Sequence, residues 1–100
     1  MKIDHVALQV EKPSEAASWY CENFGATLIY SDDTWAFIEF ENIKLAFVIP
    51  DQHPSHIAFE DKDLKSGKLH RDGSRSIYKM DPFGNFYEII KYKESNESKN

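Results

Sequence analysis

Three side chains in this 100-residue sequence are of types that could together hold a cation: His5, His56 and Glu88. The histidines stand 51 residues apart in matching hexapeptides, Asp4-His5-Val6-Ala7-Leu8-Gln9 and Ser55-His56-Ile57-Ala58-Phe59-Glu60. Each hexapeptide runs polar, His, β-branched, Ala, apolar, polar. Glu88 interrupts an apolar stretch, Phe86-Tyr87-Glu88-Ile89-Ile90, where a carboxylate is costly unless it faces solvent, a charge partner or a metal. Two imidazoles and one carboxylate can hold a divalent metal and leave positions open for substrate or water. The same residues admit a plainer arrangement, with strand histidines in structural hydrogen bonds and a last-strand Glu turned to water. No compact ligand motif such as His-Glu-x-x-His decides between the two. Glu88 and Tyr78 are the candidate catalytic residues, Tyr78 through its hydroxyl. Gln9 and Glu60, on the strand faces of the two histidines, are candidates for a supporting or acid-base role. The spare histidines, His53 and His70, read as solvated, Trp35 as a cavity wall and Cys21 as an inert buried thiol.

The elements that must position these residues follow from periodicity and turn chemistry. Alternation marks a strand at 3–10, and Pro13-Ser14 opens a helix to about Asn23, ended by Gly25. Ala16, Tyr20, Asn23 and Phe24 form its apolar stripe, with Trp19 alongside as a packing residue. Strands follow at 26–31, 34–41 and 43–49, with turns at Asp32-Asp33 and Glu41-Asn42. After a loop at 50–54 the pattern restarts in shorter form. Only 15 residues separate Glu60 from Ser76, whereas 25 separate Gln9 from Trp35. The missing ten remove the second helix and leave 61–67 little more than a turn. A short strand at 68–72 precedes strands at 76–80 and 85–92, the last two joined by Asp81-Pro82-Phe83-Gly84. The reading is an α+β fold of two paired βαβββ modules, about 2–50 and 54–92, whose curved mixed sheet encloses a cavity. A single domain spans 1–92, followed by a polar frayed tail at 93–100. One helix is too little cover for such a sheet, so a second copy of the chain is expected on the apolar remainder, making a homodimer.

Composition narrows the partners. Hydrophobic residues make up 41% and charged residues 29%, an ordinary globular balance. With 12 Lys and Arg against 17 Asp and Glu, the charge of −5 disfavours nucleic acid as a partner. The local basic stretch from Lys65 to Arg71 could still meet a small anion. The longest apolar run, Leu45 to Ile49, is far short of the ~20 residues that span a bilayer. A charged start unlike a signal peptide and a single cysteine point to a reducing, cytoplasmic setting.

Four segments together resemble the vicinal-oxygen-chelate superfamily, which includes glyoxalase I, extradiol dioxygenases, and fosfomycin- and bleomycin-resistance proteins. They are Asp4 to Val10, Ser18-Trp19-Tyr20-Cys21-Glu22-Asn23-Phe24-Gly25, Ser55 to Phe59, and Asp81-Pro82-Phe83-Gly84-Asn85-Phe86-Tyr87-Glu88. The resemblance implies paired βαβββ modules around a cavity, with His5, His56 and Glu88 at the positions that hold a divalent metal such as Zn, Ni, Mn or Fe. It further implies a small metal-dependent lyase or isomerase acting on a small oxygen-bearing substrate, or else a metal-free binding protein of the bleomycin-resistance type. The departures are specific. Glyoxalase I takes a fourth carboxylate from the last strand of its first module, but Ile43 to Val48 contains no acid, and Glu39 and Glu41 lie one strand earlier. Arg75-Ser76-Ile77-Tyr78 resembles a stretch of the fosfomycin proteins, yet Ile89-Ile90-Lys91 follows Glu88 where they differ. Extradiol cleavage would need an additional acid-base histidine.

Overall fold

The computed structural model describes residues 1–70 and 73–93. Among them are one helix and eight strands: β1 (Lys2–Gln9), α1 (Pro13–Phe24), β2 (Thr27–Ser31), β3 (Trp35–Glu39), β4 (Lys44–Val48), β5 (His56–Glu60), β6 (Lys68–Leu69), β7 (Arg75–Met80) and β8 (Phe86–Lys91). The α+β reading holds, and no second helix forms between β5 and β6 among the described residues. The expected frayed tail lies, apart from Lys93, outside the described residues, as do Arg71 of the basic stretch and Asp72 at the end of the strand expected at 68–72. No helix among the described residues is long and apolar enough to cross a membrane.

One mixed sheet carries the strands in the order β2-β3-β4-β1-β5-β8-β7-β6. Each half has the same plan. β1 pairs in parallel with β4, and β5 in parallel with β8, while β1 and β5 meet antiparallel at the seam. The registers make the two halves equivalent position by position. Phe37 pairs with Ala46 where Tyr78 pairs with Glu88, and Trp35 pairs with Val48 where Ser76 pairs with Ile90.

Turn chemistry fixes the strand ends. Gly25 takes the left-handed conformation at φ 76° and its N–H donates to the Cys21 carbonyl, ending α1. The Asp81 carboxylate accepts from the N–H groups of Phe83 (2.8 Å) and Asn85 (2.9 Å), and this sets the chain into β8.

α1 lies on the outer face of the first half, where Ala17, Ala36, Ile38 and Phe47 form the core. Its packing face is Ala16, Ala17, Tyr20 and Cys21, so the stripe expected from sequence is corrected by about one position. Asn23 is exposed, and Trp19 and Phe24 are 53% and 59% exposed, so Trp19 is not a buried packing residue. Ile38 and Phe47 already fill the surface below the helix, so close approach needs alanines, and the bulky side chains rotate outward. Cys21 is partly rather than fully buried against this core.

In the second half Ile77, Lys79 and Ile89 take the places of Ala36, Ile38 and Phe47, by the equivalent pairings Ala36↔Phe47 and Ile77↔Ile89. With no helix above them they are exposed or half-buried, and Ile57 on the same sheet is 41% exposed.

Candidate metal centre

The inner face of the sheet bends around a cavity of about 520 Å³. His5, His56 and Glu88 are all buried at its floor, and their ligating atoms lie within 4.8 Å of one another. Sheet register explains the convergence. Glu88 pairs with Ala58, and Ala58 pairs with His5, so the three lie in one row across β8, β5 and β1. Ala58 is fully buried and has nothing beyond Cβ, so Glu88 and His5 meet over it at 3.3 Å. The equivalent row in the other half is Ala46, Ala7 and His56. The alanine two places after each histidine is therefore a spacer, a role the sequence echo displayed but did not explain.

Tautomers follow from the partners. His56 Nδ1 lies 2.7 Å from the Pro54 carbonyl, which can only accept, so Nδ1 carries the hydrogen and Nε2 is a bare lone pair. That Nε2 faces Glu88 Oε1 at 3.3 Å, yet it is buried without a hydrogen bond. His5 Nδ1 donates to Asp4 Oδ2 at 2.8 Å, which likewise aims its Nε2 at Glu88 Oε1. Lone pairs converging on one point require a cation between them, either a proton or a metal ion. Burial opposes charge on Glu88, but the two imidazoles outweigh it and hold the carboxyl at about 2. Burial also opposes charge on His5, and here Asp4 and Glu88 prevail and raise its pKa. The donor set thus fits a divalent metal.

Asp4 owes its place to a backbone irregularity. The β1–β5 register shifts between Ile3 and His5, so Asp4 is an extra residue in a β-bulge. Neighbours in a regular strand point to opposite faces, and the bulge is what lets Asp4 reach its neighbour's ring. Asp4 Oδ2 also accepts from Tyr92 Oη at 2.5 Å, and Oδ1 accepts from Lys44 Nζ at 3.3 Å. Burial opposes its charge, but these three partners lower the Asp4 pKa to about 2. Asp4→Asn keeps an acceptor for His5 but removes the charge behind it. Metal affinity, measured by competition with a chelating dye, is expected to fall about tenfold, and the metal-free protein is expected to melt at a lower temperature at neutral pH, because the ionised Asp4 is stabilised by the fold.

The other sequence candidates divide. Tyr78 lines the cavity, its ring 5.0 Å from that of His56, and its hydroxyl lies 3.3 Å from His53 Nδ1. Burial and Glu88 push the Tyr78 ionisation up, so its hydroxyl stays neutral. Trp35 is a cavity wall, as expected. Gln9 is elsewhere: its side chain donates to the His53 carbonyl at 2.8 Å and ties down the 50–55 loop. Glu60 pairs with Lys2 and Ile90 at the far end of β5 and is not among the residues lining the cavity. Glu39 and Glu41 border a separate depression beside Phe24, and Ala46 occupies the position equivalent to Glu88, so the first half brings no acid to the centre. The expectation of solvated spare histidines is corrected. His53 and His70 both line the cavity, so every histidine of the chain faces it. His70 Nε2 contacts Ser76 Oγ at 2.6 Å. Loop geometry places His53, and His70 stands just beyond the end of β6 at Leu69.

Residues 2–76 match the Glyoxalase/Bleomycin resistance protein/Dioxygenase superfamily. The chain belongs to that superfamily. The match stops short of β8, so Glu88 joins the site on geometry. No curated protein matches the sequence. Among solved structures, a methylmalonyl-CoA epimerase of Streptomyces coelicolor, in complex with 2-nitronate-propionyl-CoA, superposes with a TM-score of 0.73 at 14% identity, covering 94% of this chain and 99% of that one. A Legionella pneumophila protein described as an NAD-dependent benzaldehyde dehydrogenase gives 0.68 at 13% identity, covering 89% and 98%. A hypothetical protein of Bacillus halodurans gives 0.66 at 15%, covering 94% and 96%. At such identities these likenesses establish the superfamily fold and nothing finer.

Proposed function

We propose that this member of the glyoxalase superfamily is a small metal-dependent enzyme of the lyase or isomerase type. It holds one divalent ion, of Zn, Ni, Mn or Fe, at His5, His56 and Glu88, and a small oxygen-bearing substrate in the cavity above. The observation that carries this reading is the His56 Nε2 lone pair, buried, unpartnered and aimed at the Glu88 carboxylate. A metal bound there would act as a Lewis acid toward a substrate oxygen. The chain supplies the rest. Glu88, with its pKa near 2, is a weak proton acceptor and serves mainly as a ligand. Tyr78, kept neutral, donates a hydrogen bond to a substrate oxygen. His53 is held below its ordinary pKa by burial and by His56, so it is uncharged at neutral pH and takes up the substrate proton, with Tyr78 beside it.

A second reading is metal-free sequestration of a planar ligand. It is favoured by the stacked Tyr30 and Trp35 rings on one cavity wall, 4.7 Å apart. The double variant His5→Ala, Glu88→Ala separates the two. Loss of metal content together with loss of ligand retention supports the enzyme; ligand retention unchanged in the metal-free variant supports the binding protein.

The uncovered outer face of the second half supports a homodimer in which a second copy lies over Ile57 and its neighbours. Sedimentation equilibrium is expected to return about twice the chain mass of 11.6 kDa. A monomer mass at all concentrations would remove the dimer.

A further inference from the structure

The bare outer face of the second half has a mate elsewhere on the same chain. Ser76, Tyr78, Glu88 and Ile90 line the cavity, so strand alternation turns Arg75, Ile77 and Lys79 of β7 and Tyr87, Ile89 and Lys91 of β8 to the outer side. Ile57 of β5 stands on that side too, 41% exposed. The three strands thus present three cations and no acid around an apolar floor. Asp61 and Asp81 stand at its ends, each turned back on its own loop: Asp61 accepts from the Asp63 N–H at 2.9 Å and Asp81 from the Phe83 N–H at 2.8 Å. A depression of about 570 Å³ opens beside Ile57, Phe59 and Tyr87.

α1 carries the opposite pattern. Its packing face is Ala16, Ala17, Tyr20 and Cys21, and Glu15, Ser18, Trp19 and Glu22 form the stripe on the far side. All four of these are exposed. Glu15 meets Lys12 at 3.9 Å, a contact too exposed to neutralise it. The helix stripe reads acid, indole, acid over about 10 Å. The strand β7 reads cation, isoleucine, cation over about 13 Å. A Trp flanked by charge and facing an apolar depression is the kind of anchor that dominates an interface.

Symmetry lets two copies make both contacts at once. The helix covers the first half and the bare face belongs to the second, side by side on one outer surface. A two-fold axis along the β1–β5 seam, between two such surfaces, sets each helix over the other copy's second half. The product is a sheet–helix–sheet sandwich that closes at two chains instead of growing into a filament. A helix from outside then stands where the second half has none.

We propose that the Glu15–Trp19–Glu22 stripe of one copy docks on the Arg75–Ile77–Lys79 face of a second, with Trp19 seated beside Ile57 and Tyr87, and that the second copy returns the same contact. This rests on the homodimer reading and adds to it the two surfaces that meet. Charge exchange tests it. Glu15→Lys with Glu22→Lys, and separately Arg75→Glu with Lys79→Glu, set like charges against each other in both contacts of each homodimer. Sedimentation equilibrium is expected to show the dimer dissociation constant raised about 100-fold or more in each. In a mixed dimer the altered stripe meets the altered face and the native stripe meets the native face. The mixture is therefore expected to return to within about tenfold of the wild-type constant. Hydroxyl-radical labelling of the wild type needs no variant. The reactivity of Trp19 and Ile77 is expected to fall several-fold on dimer formation, while Met80, 56% exposed on the cavity side, keeps its own.

A dimer that survives either double variant overturns the inference and leaves the homodimer reading standing. Folded variants that stay monomeric when mixed do the same, as does equal labelling of Trp19 in monomer and dimer. Should a variant fail to fold, the labelling decides. A wild type that is monomeric at every concentration removes both.

Discussion

Replacing Glu88 by Gln is expected to lower divalent-metal affinity by at least about 100-fold, since loss of a mere supporting contact already costs 10–100-fold. The metal-free protein is expected to be as stable as before, or more so, at about pH 8. Both results come from one geometric fact. Glu88 Oε1 faces the Nε2 atoms of His5 and His56 at 3.3 Å each, and both nitrogens present lone pairs once the rings are neutral. A carboxylate there adds a third set of lone pairs, which a metal rewards and an empty floor does not. A Gln amide of the same shape brings two N–H donors to two acceptors. Were Glu88 present only to stabilise the fold through an ion pair with His5, Glu88→Gln would instead leave a buried group unmatched and cost ~3–5 kcal/mol. Thermal melts of both proteins, with and without metal, separate these outcomes.

The second large effect is the response of stability to metal and pH. Metal at about 100 times its dissociation constant adds ~2.7 kcal/mol, which for a domain this size raises the melting temperature by roughly 10–20 °C. The pH dependence has two parts. In the metal-free protein His5 has a raised pKa, so its contribution is complete below 6.5 and is lost as pH rises through the raised value. Glu88 and Asp4 are both lowered to about 2, so their contributions are present above the ordinary carboxylate range and are lost as pH falls toward 2, and that of Glu88 also fades above the raised His5 pKa, where the imidazoles that hold it down are neutral. Metal must displace the His5 proton, so the metal-induced shift is expected to be largest above the raised His5 pKa and to vanish as pH falls well below 6.5. Scanning calorimetry across pH, with and without metal, tests the sign. A metal-induced shift that grows toward acid pH would contradict it.

Much of this site was legible in the chain. The histidines announced themselves because a repeated unit sets equivalent residues on equivalent strands, and the Ala after each survived in the echo because the rows need a spacer. Glu88 was legible as a charge in an apolar strand. The absent second helix was legible as ten missing residues. Asp4 was not, because strand alternation places it opposite His5, and only the bulge brings it to the ring. His53 was hidden because the loop that carries it has no periodicity to read, and His70 because the strand expected at 68–72 ends at Leu69 and leaves it beyond the strand end. On α1 the apolar period was right, but the packing face was set by what Ile38 and Phe47 leave room for, which local sequence does not contain. Gln9 shows the converse: it shares the strand face of His5, yet its amide is diverted to the His53 carbonyl.

Titration of the metal-free protein with Co²⁺, followed by visible absorption, tests the central claim most directly. One ion per chain, saturable, with the band lost in both His5→Ala and His56→Ala, is the expected result. Absence of a saturable band, or a band unchanged by His56→Ala, would contradict it.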